Sequence, residues 1–166
     1  MPAACSRART TSRRPARSSP RRAPHRSPSA LDLLDAAKLG DSDRLLVLGD
    51  RSPELLCAAL SRGCRSAASL VAPPEHPEAA DVVVAPQLRS AEAATAIAAC
   101  ARRAFAAGRR GGRLALALLG AGGIAAARAV AKSLETYGFT RARLRARAEG
   151  GVLLTCRFPA PANPVR

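Results

Sequence analysis

The chain predicts an α/β domain: a mostly parallel sheet with helices on both faces, closed by an antiparallel hairpin near its carboxyl end. Three observations carry this. Short apolar runs such as Leu45-Leu46-Val47-Leu48 and Val82-Val83-Val84 alternate with longer Ala-rich segments, and apolar runs without polar alternation mark parallel strands buried on both faces. Ser, Pro and Gly punctuate the Ala-rich segments where helices start and stop. The last two strand segments, residues 141–148 and 152–158, are separated only by Glu149-Gly150-Gly151, a hairpin-type turn.

Taken in order, a short helix is expected over residues 31–39, ended by Gly40, and residues 41–44 turn into a strand at 45–48. The next helix is framed by Ser52 as N-cap, Pro53 in its first position, Glu54 against the positive dipole end and Gly63 just past its end. A short strand follows at residues 69–72, then a Pro-rich turn at 73–77 and a strand at 81–85. Ser90 caps a long helix to about residue 107, with Glu92 in its first turn, Arg102 and Arg103 near its end and Gly108 beyond it. Residues 113–119 form the next strand, and Gly120 to Gly123 lead into a helix through Tyr137. Gly138 closes that helix in a left-handed turn that folds Phe139 back onto Leu134.

Composition bounds the rest. The 166 residues suit one domain, and with 48% hydrophobic but only 2% aromatic residues the core is built from Leu, Val and Ala. The net charge of +15 is uneven, because residues 1–30 hold eight Arg and no acid. That Arg/Ser/Pro-rich segment lacks apolar periodicity and is expected to be disordered; residues 31–160 form the domain and 161–166 a disordered end. The tail reads as a solvated segment, as an arm lying along nucleic-acid phosphates, or as a targeting segment. Arg141, Arg143, Arg145 and Arg147 alternate along a strand, which reads first as an exposed sheet-edge face kept soluble by charge and second as a basic stripe on one face.

The five cysteines, Cys5, Cys57, Cys64, Cys100 and Cys156, include no CxxC pair, which points to reduced thiols in a cytoplasmic protein without a metal centre. Cys57, Cys100 and Cys156 lie in apolar stretches and are expected in the core. His76, between prolines, reads as a surface-loop residue. The longest uncharged stretch, residues 114–127, is glycine-broken and too short to span a membrane. No Ser-His-acid order or P-loop is present, so no catalytic residue is assigned.

Several segments resemble those of class I S-adenosylmethionine (SAM)-dependent methyltransferases, which are Rossmann-like. LLDAAKLGDSDRLLVLGD is similar to the approach to that family's first strand, and ADVVVAPQLRS to its fourth strand and following loop. ARRAFAAGRRGGRLALALL resembles the helix, turn and fifth strand, and YGFTRARLRARAEGGVLLTCRFP the closing hairpin; together these span about three quarters of the chain. The resemblance implies SAM as cofactor, held near Gly49, Asp50, Arg51, Ser52, Pro86 and Gln87, and a methyl acceptor of unknown identity. Three departures fall on that site. Only Gly49 remains of the glycine-rich loop, Ala72-Pro73-Pro74 stands where the family places a ribose-binding acid, with Glu75 displaced, and residues 73–80 leave no room for the usual helix, strand and helix.

The resemblance therefore implies a divergent methyltransferase or a non-catalytic relative. A binding protein that contacts nucleic acid through its basic tail and last strands is the alternative. A third reading rests on Gly120-Ala121-Gly122-Gly123-Ile124-Ala125, which fits G-x-G-x-x-A after a strand, with Glu149 near the end of the next one. That pattern resembles a dinucleotide-binding unit and would take NAD(P).

Overall fold

The computed structural model describes residues 30–49, 52–108, 110–120, 123–147 and 150–161. The expectations for residues 1–29 and 162–166, and for Asp50, Arg51, Ala121, Gly122 and Glu149, lie outside the described residues. Six strands form one sheet: β1 (Arg44–Leu48), β2 (Ser66–Leu70), β3 (Val82–Leu88), β4 (Gly112–Leu118), β5 (Thr140–Ala146) and β6 (Val152–Phe158), in the order β2-β1-β3-β4-β6-β5. The first four run parallel, and β6 inserts antiparallel between β4 and β5. The expected α/β class and antiparallel closure are both present.

Helices cover both faces, and the alternation of side chains along each strand divides the core accordingly. Leu46, Leu48, Val83, Ala85, Leu114 and Leu116 face α3 (Ala91–Gly108) and α4 (Gly123–Thr136). Leu45, Val47, Val82, Val84, Ala115 and Leu153 face α1 (Ala30–Ala37) and α2 (Pro53–Ser61). The described core contains no buried polar or charged residue. No described helix is long and apolar enough to cross a membrane.

The helix ends follow their punctuation with two exceptions. At the end of α4, Phe139 N donates to Leu134 O and Gly138 N to Glu135 O, and Gly138 has φ 85°; this is the expected left-handed closure, and Phe139 and Leu134 are both buried. Ser90 Oγ accepts from Ala93 N at 3.1 Å and caps α3. The first exception is α1, which does not run to Gly40. It closes at Lys38, whose φ is 54°, with Lys38 N bonded to Asp35 O and Leu39 N to Leu34 O. Buried Leu34 and the fold-back of Leu39 fix the turn there, so a lysine takes the place a glycine would fill with less strain. Lys38→Gly is expected to raise stability by about 0.5–1 kcal/mol, read as a higher urea midpoint; an unchanged midpoint would mean that the lysine stem contributes as much as its backbone costs. The second exception is Ser52, which occupies the N-cap of α2 but makes no side-chain cap hydrogen bond. Pro53 and Glu54 sit in the first turn as expected.

Two strands are displaced from their expected positions. β2 begins at Ser66 rather than residue 69, because Ser66 to Leu70 pair in register with Arg44 to Leu48. β3 continues through Pro86 and Gln87 to Leu88, so these two residues lie in the strand and not in a following loop. Proline lacks the ladder donor, and the register with β4 shifts between Ala85 and Leu88 to accommodate it. Of the cysteines expected in the core, Cys100 and Cys156 are buried but Cys57 is exposed on α2, while Cys64 is buried instead. Burial pushes the Cys156 thiol up to about 12, so it is an inert core residue.

Candidate functional site

In an open parallel sheet, ligands bind outside the carboxyl ends of the strands, where successive connections diverge to opposite sides. Here that place lies between β1 and β3. From β1 the chain passes through α2 to β2 on one side, and from β3 through α3 to β4 on the other. Val47 pairs with Val84, so the register carries Gly49 level with Pro86 at this edge. Gly49 has φ 94°, a conformation that favours glycine. Ser52 follows at the start of α2, and Gln87 is half-buried beside buried Pro86. The structure thus gathers Gly49, Ser52, Pro86 and Gln87 at one sheet edge, while Asp50 and Arg51 lie outside the described residues.

Among the described residues, this edge departs from what the resemblance implies for SAM in the following ways. The Gly49 N–H is already donated to Leu70 O at 3.0 Å, and a Cβ at Gly49 would meet only Ile97 Cδ1 at 3.9 Å. No protein neighbour requires this glycine; its positive φ does. β2 ends at Leu70 and continues into exposed Val71 and Ala72, so the end of the second strand presents no acid. Glu75 is exposed in the connection that follows. That connection passes directly from β2 to β3, leaving β2 at the rim of the sheet, paired with β1 alone among the described residues.

The G-x-G-x-x-A segment sits after β4. Gly120 has φ 118° and α4 starts at Gly123, but Ala121, Gly122 and Glu149, which the nucleotide reading needs, lie outside the described residues.

The opposite edge, at the amino ends of the parallel strands, is chemically richer. Asp81 precedes β3 and accepts from Arg44 Nε at 2.9 Å, Arg44 Nη2 at 3.1 Å and Arg44 N at 3.0 Å. This side-chain hydrogen bonding holds the Asp81 carboxyl below the usual aspartate value and raises the Arg44 guanidinium. Asp43 precedes β1 and accepts from Arg113 Nη2 at 2.5 Å, while Arg113 Nη1 donates to Lys38 O at 2.6 Å. Two adjoining cavities, of about 370 and 110 Å³, open here and share Arg113 and Arg157. Lys38, Arg110, Arg141 and Arg143 complete the basic lining.

The expected basic stripe on β5 is changed in detail. A bulge between Thr140 and Arg143 places Arg141 at φ 57° and interrupts the strict alternation. Arg147 lies just beyond β5, with its side chain 14% exposed and 3.8 Å from Asp32. Arg143 and Arg145 remain exposed on the strand. Lys38, Arg110, Arg113 and Arg157 were not legible as part of a site, because they are scattered along the chain and only the strand order brings them together.

No protein-family model matches the chain, and no curated protein matches it. Solved structures do share its fold. The chain is similar to 1,6-didemethyltoxoflavin-N1-methyltransferase of Burkholderia thailandensis, solved with 1,6-didemethyltoxoflavin and S-adenosylhomocysteine, at a TM-score of 0.56 and 17% identity over 81% of this chain and 78% of that one. It is similar to the release-factor-specific protein-(glutamine-N5) methyltransferase of Alicyclobacillus acidocaldarius at 0.55 and 16% identity, covering 80% and 93% of the two chains. The magnesium protoporphyrin IX methyltransferase of Synechocystis, solved with SAM, matches at 0.53 and 14% identity over 78% and 76%. Identities this low establish a shared architecture: the chain has a class I methyltransferase-like Rossmann fold.

Proposed function

We propose that this chain is a divergent methyltransferase-like protein that keeps the family scaffold without its ordinary hold on the cofactor, and so serves as a non-catalytic relative. The observation that carries this reading is the end of β2. The strand ends at Leu70 and is followed by exposed Val71 and Ala72, with no acid to hold a ribose, and among the described residues it is the rim of the sheet. The spent Gly49 N–H and the Ser-Pro start of α2 lie beside it.

One observation favours a second reading, an active SAM-dependent methyltransferase with an altered pocket. Gly49 still takes a left-handed conformation at the point where the connections diverge, and methyl transfer asks for little beyond orientation of donor and acceptor. Calorimetry of the full chain against SAM and S-adenosylhomocysteine separates the two. The expected result is no saturable heat at millimolar ligand. Saturable micromolar binding that is lost in Gly49→Val would overturn the proposal and establish the second reading.

A further inference from the structure

We infer that the amino edge of the sheet is a docking groove for the phosphate backbone of double-stranded nucleic acid. The charge balance in the two adjoining cavities is the starting point. Their acids are Asp43 and Asp81, and each is engaged by an arginine, Arg113 and Arg44 respectively. Lys38, Arg110, Arg141, Arg143 and Arg157 line the same space, and none of them makes an ion pair among the described residues. Arg110 acts on Asp81 through its charge alone, so across the two adjoining cavities the described cations outnumber the two acids, and the field they create attracts a polyanion.

Two backbone features sharpen the point. Arg113 and Arg157 are directly opposed across the β4/β6 ladder, an arrangement that is unfavourable for like charges. Asp43 relieves it on the Arg113 side only. Arg141 is held in a left-handed conformation at the β5 bulge and lines the smaller cavity beside Arg143. A non-glycine residue in that conformation is strained, and strain of this kind gathers at binding sites. From Arg143 the row continues to Arg145 on the outermost strand, at a spacing of about 7 Å between alternate residues. A row is longer than one phosphate needs and suits a backbone.

The choice of duplex follows from what the groove lacks. Its one aromatic lining residue, Phe158, is packed against Phe105 and Phe139, so it offers no stacking platform for unpaired bases. Among the described residues, the exposed large apolar side chains, Leu31, Leu60, Leu70, Val71, Ile124 and Leu144, do not line it, so they supply no wedge to seat a basic surface in lipid. Residues 1–30 hold eight arginines and no acid, so their charge has the same sign as that of the groove. The groove and Gly49 lie on opposite edges of the sheet, so this inference does not depend on whether SAM is bound.

Fluorescence anisotropy tests it, with the full chain and a labelled DNA duplex of arbitrary sequence titrated between about 50 and 200 mM salt. The wild type should bind with a steep salt dependence. Arg143→Gln/Arg157→Gln should weaken binding roughly tenfold at low salt and lower the salt slope by about 2. Arg143→Gln/Arg145→Gln, confined to exposed strand positions, should act in the same direction and guards against a folding defect. Absence of duplex binding by the wild type would overturn the inference. So would loss of all binding in a full-length variant with Arg13, Arg14, Arg21 and Arg22 changed to Gln while both strand variants bind as wild type. Equal competition by polyglutamate and by unlabelled duplex at matched charge would point to an acidic protein instead and would also overturn it.

Discussion

Phe105→Ala is expected to lower the stability of the folded chain by about 3–5 kcal/mol, a large share of the roughly 5–15 kcal/mol typical of a domain. Phe105 is fully buried near the end of α3. Its ring lies 6.2 Å from that of Phe139 at an interplanar angle of 71°, and 6.1 Å from that of Phe158 at 35°. Phe139 and Phe158 complete the triangle at 5.5 Å and 63°. All three phenylalanines of the chain are in this cluster, which ties α3 to the end of β6 and to the segment between α4 and β5. The first residue of β4 is shaped around the same ring: a Cβ on Gly112 would fall within 2.1 Å of Phe105 Cδ1. The surrounding faces of α3 are alanine, already close to the sheet, and have little room to collapse into the void. Urea unfolding measures the loss. A cost below about 1 kcal/mol would show that the neighbours do close over the site.

The elements that were legible in the sequence are those whose signals are local. Gly63 and Gly138 both sit in left-handed turns just past α2 and α4, and in each the residue after the glycine bonds back to the last turn. Those motifs depend on a few consecutive residues, so reading them needs no knowledge of the fold. β2 is the opposite case. Ser66, Ala67 and Ala68 carry no strand signature, and they become a strand because β1 offers them a ladder; context outweighs propensity there. Pro86 reads as a strand end, yet β3 continues past it with a bulge, because Leu88 is needed in the core against Leu118. Asp50 and Arg51 aside, the expected cofactor edge was legible as a set of positions, since strand ends follow from strand order. The basic groove was not. Arg113 and Arg157 are 44 positions apart in the chain, and their opposition follows from the antiparallel insertion of β6 between β4 and β5.

Asp81→Ala is expected to destabilise the fold by about 2–4 kcal/mol and to flatten its acid response. The carboxylate accepts three hydrogen bonds from Arg44, two from the guanidinium and one from the backbone N–H, and so fastens the first residue of β1 to the approach to β3. Asp81 N returns a bond to Arg44 O at 2.9 Å, and Arg113 N donates to Asp81 O at 3.0 Å. One residue therefore sets the amino-end register of three adjacent strands. Removing its side chain leaves the Arg44 guanidinium, 29% exposed, without its acid, and that lost partner rather than any lost packing dominates the cost. The sign of the pH dependence follows from the shift. The folded carboxyl is held below its ordinary value of 3.8, chiefly by the Arg44 hydrogen bonds, so the unfolded chain takes up the proton first. The contribution of this pair is complete at pH values well above 3.8 and is lost as pH falls through that value toward the lower folded one. Wild type and Asp81→Ala should differ most near neutrality and converge in acid. Thermal melts from pH 7 to pH 2 test this, and curves that stay parallel over the whole range would show that the proton on Asp81 is not linked to folding.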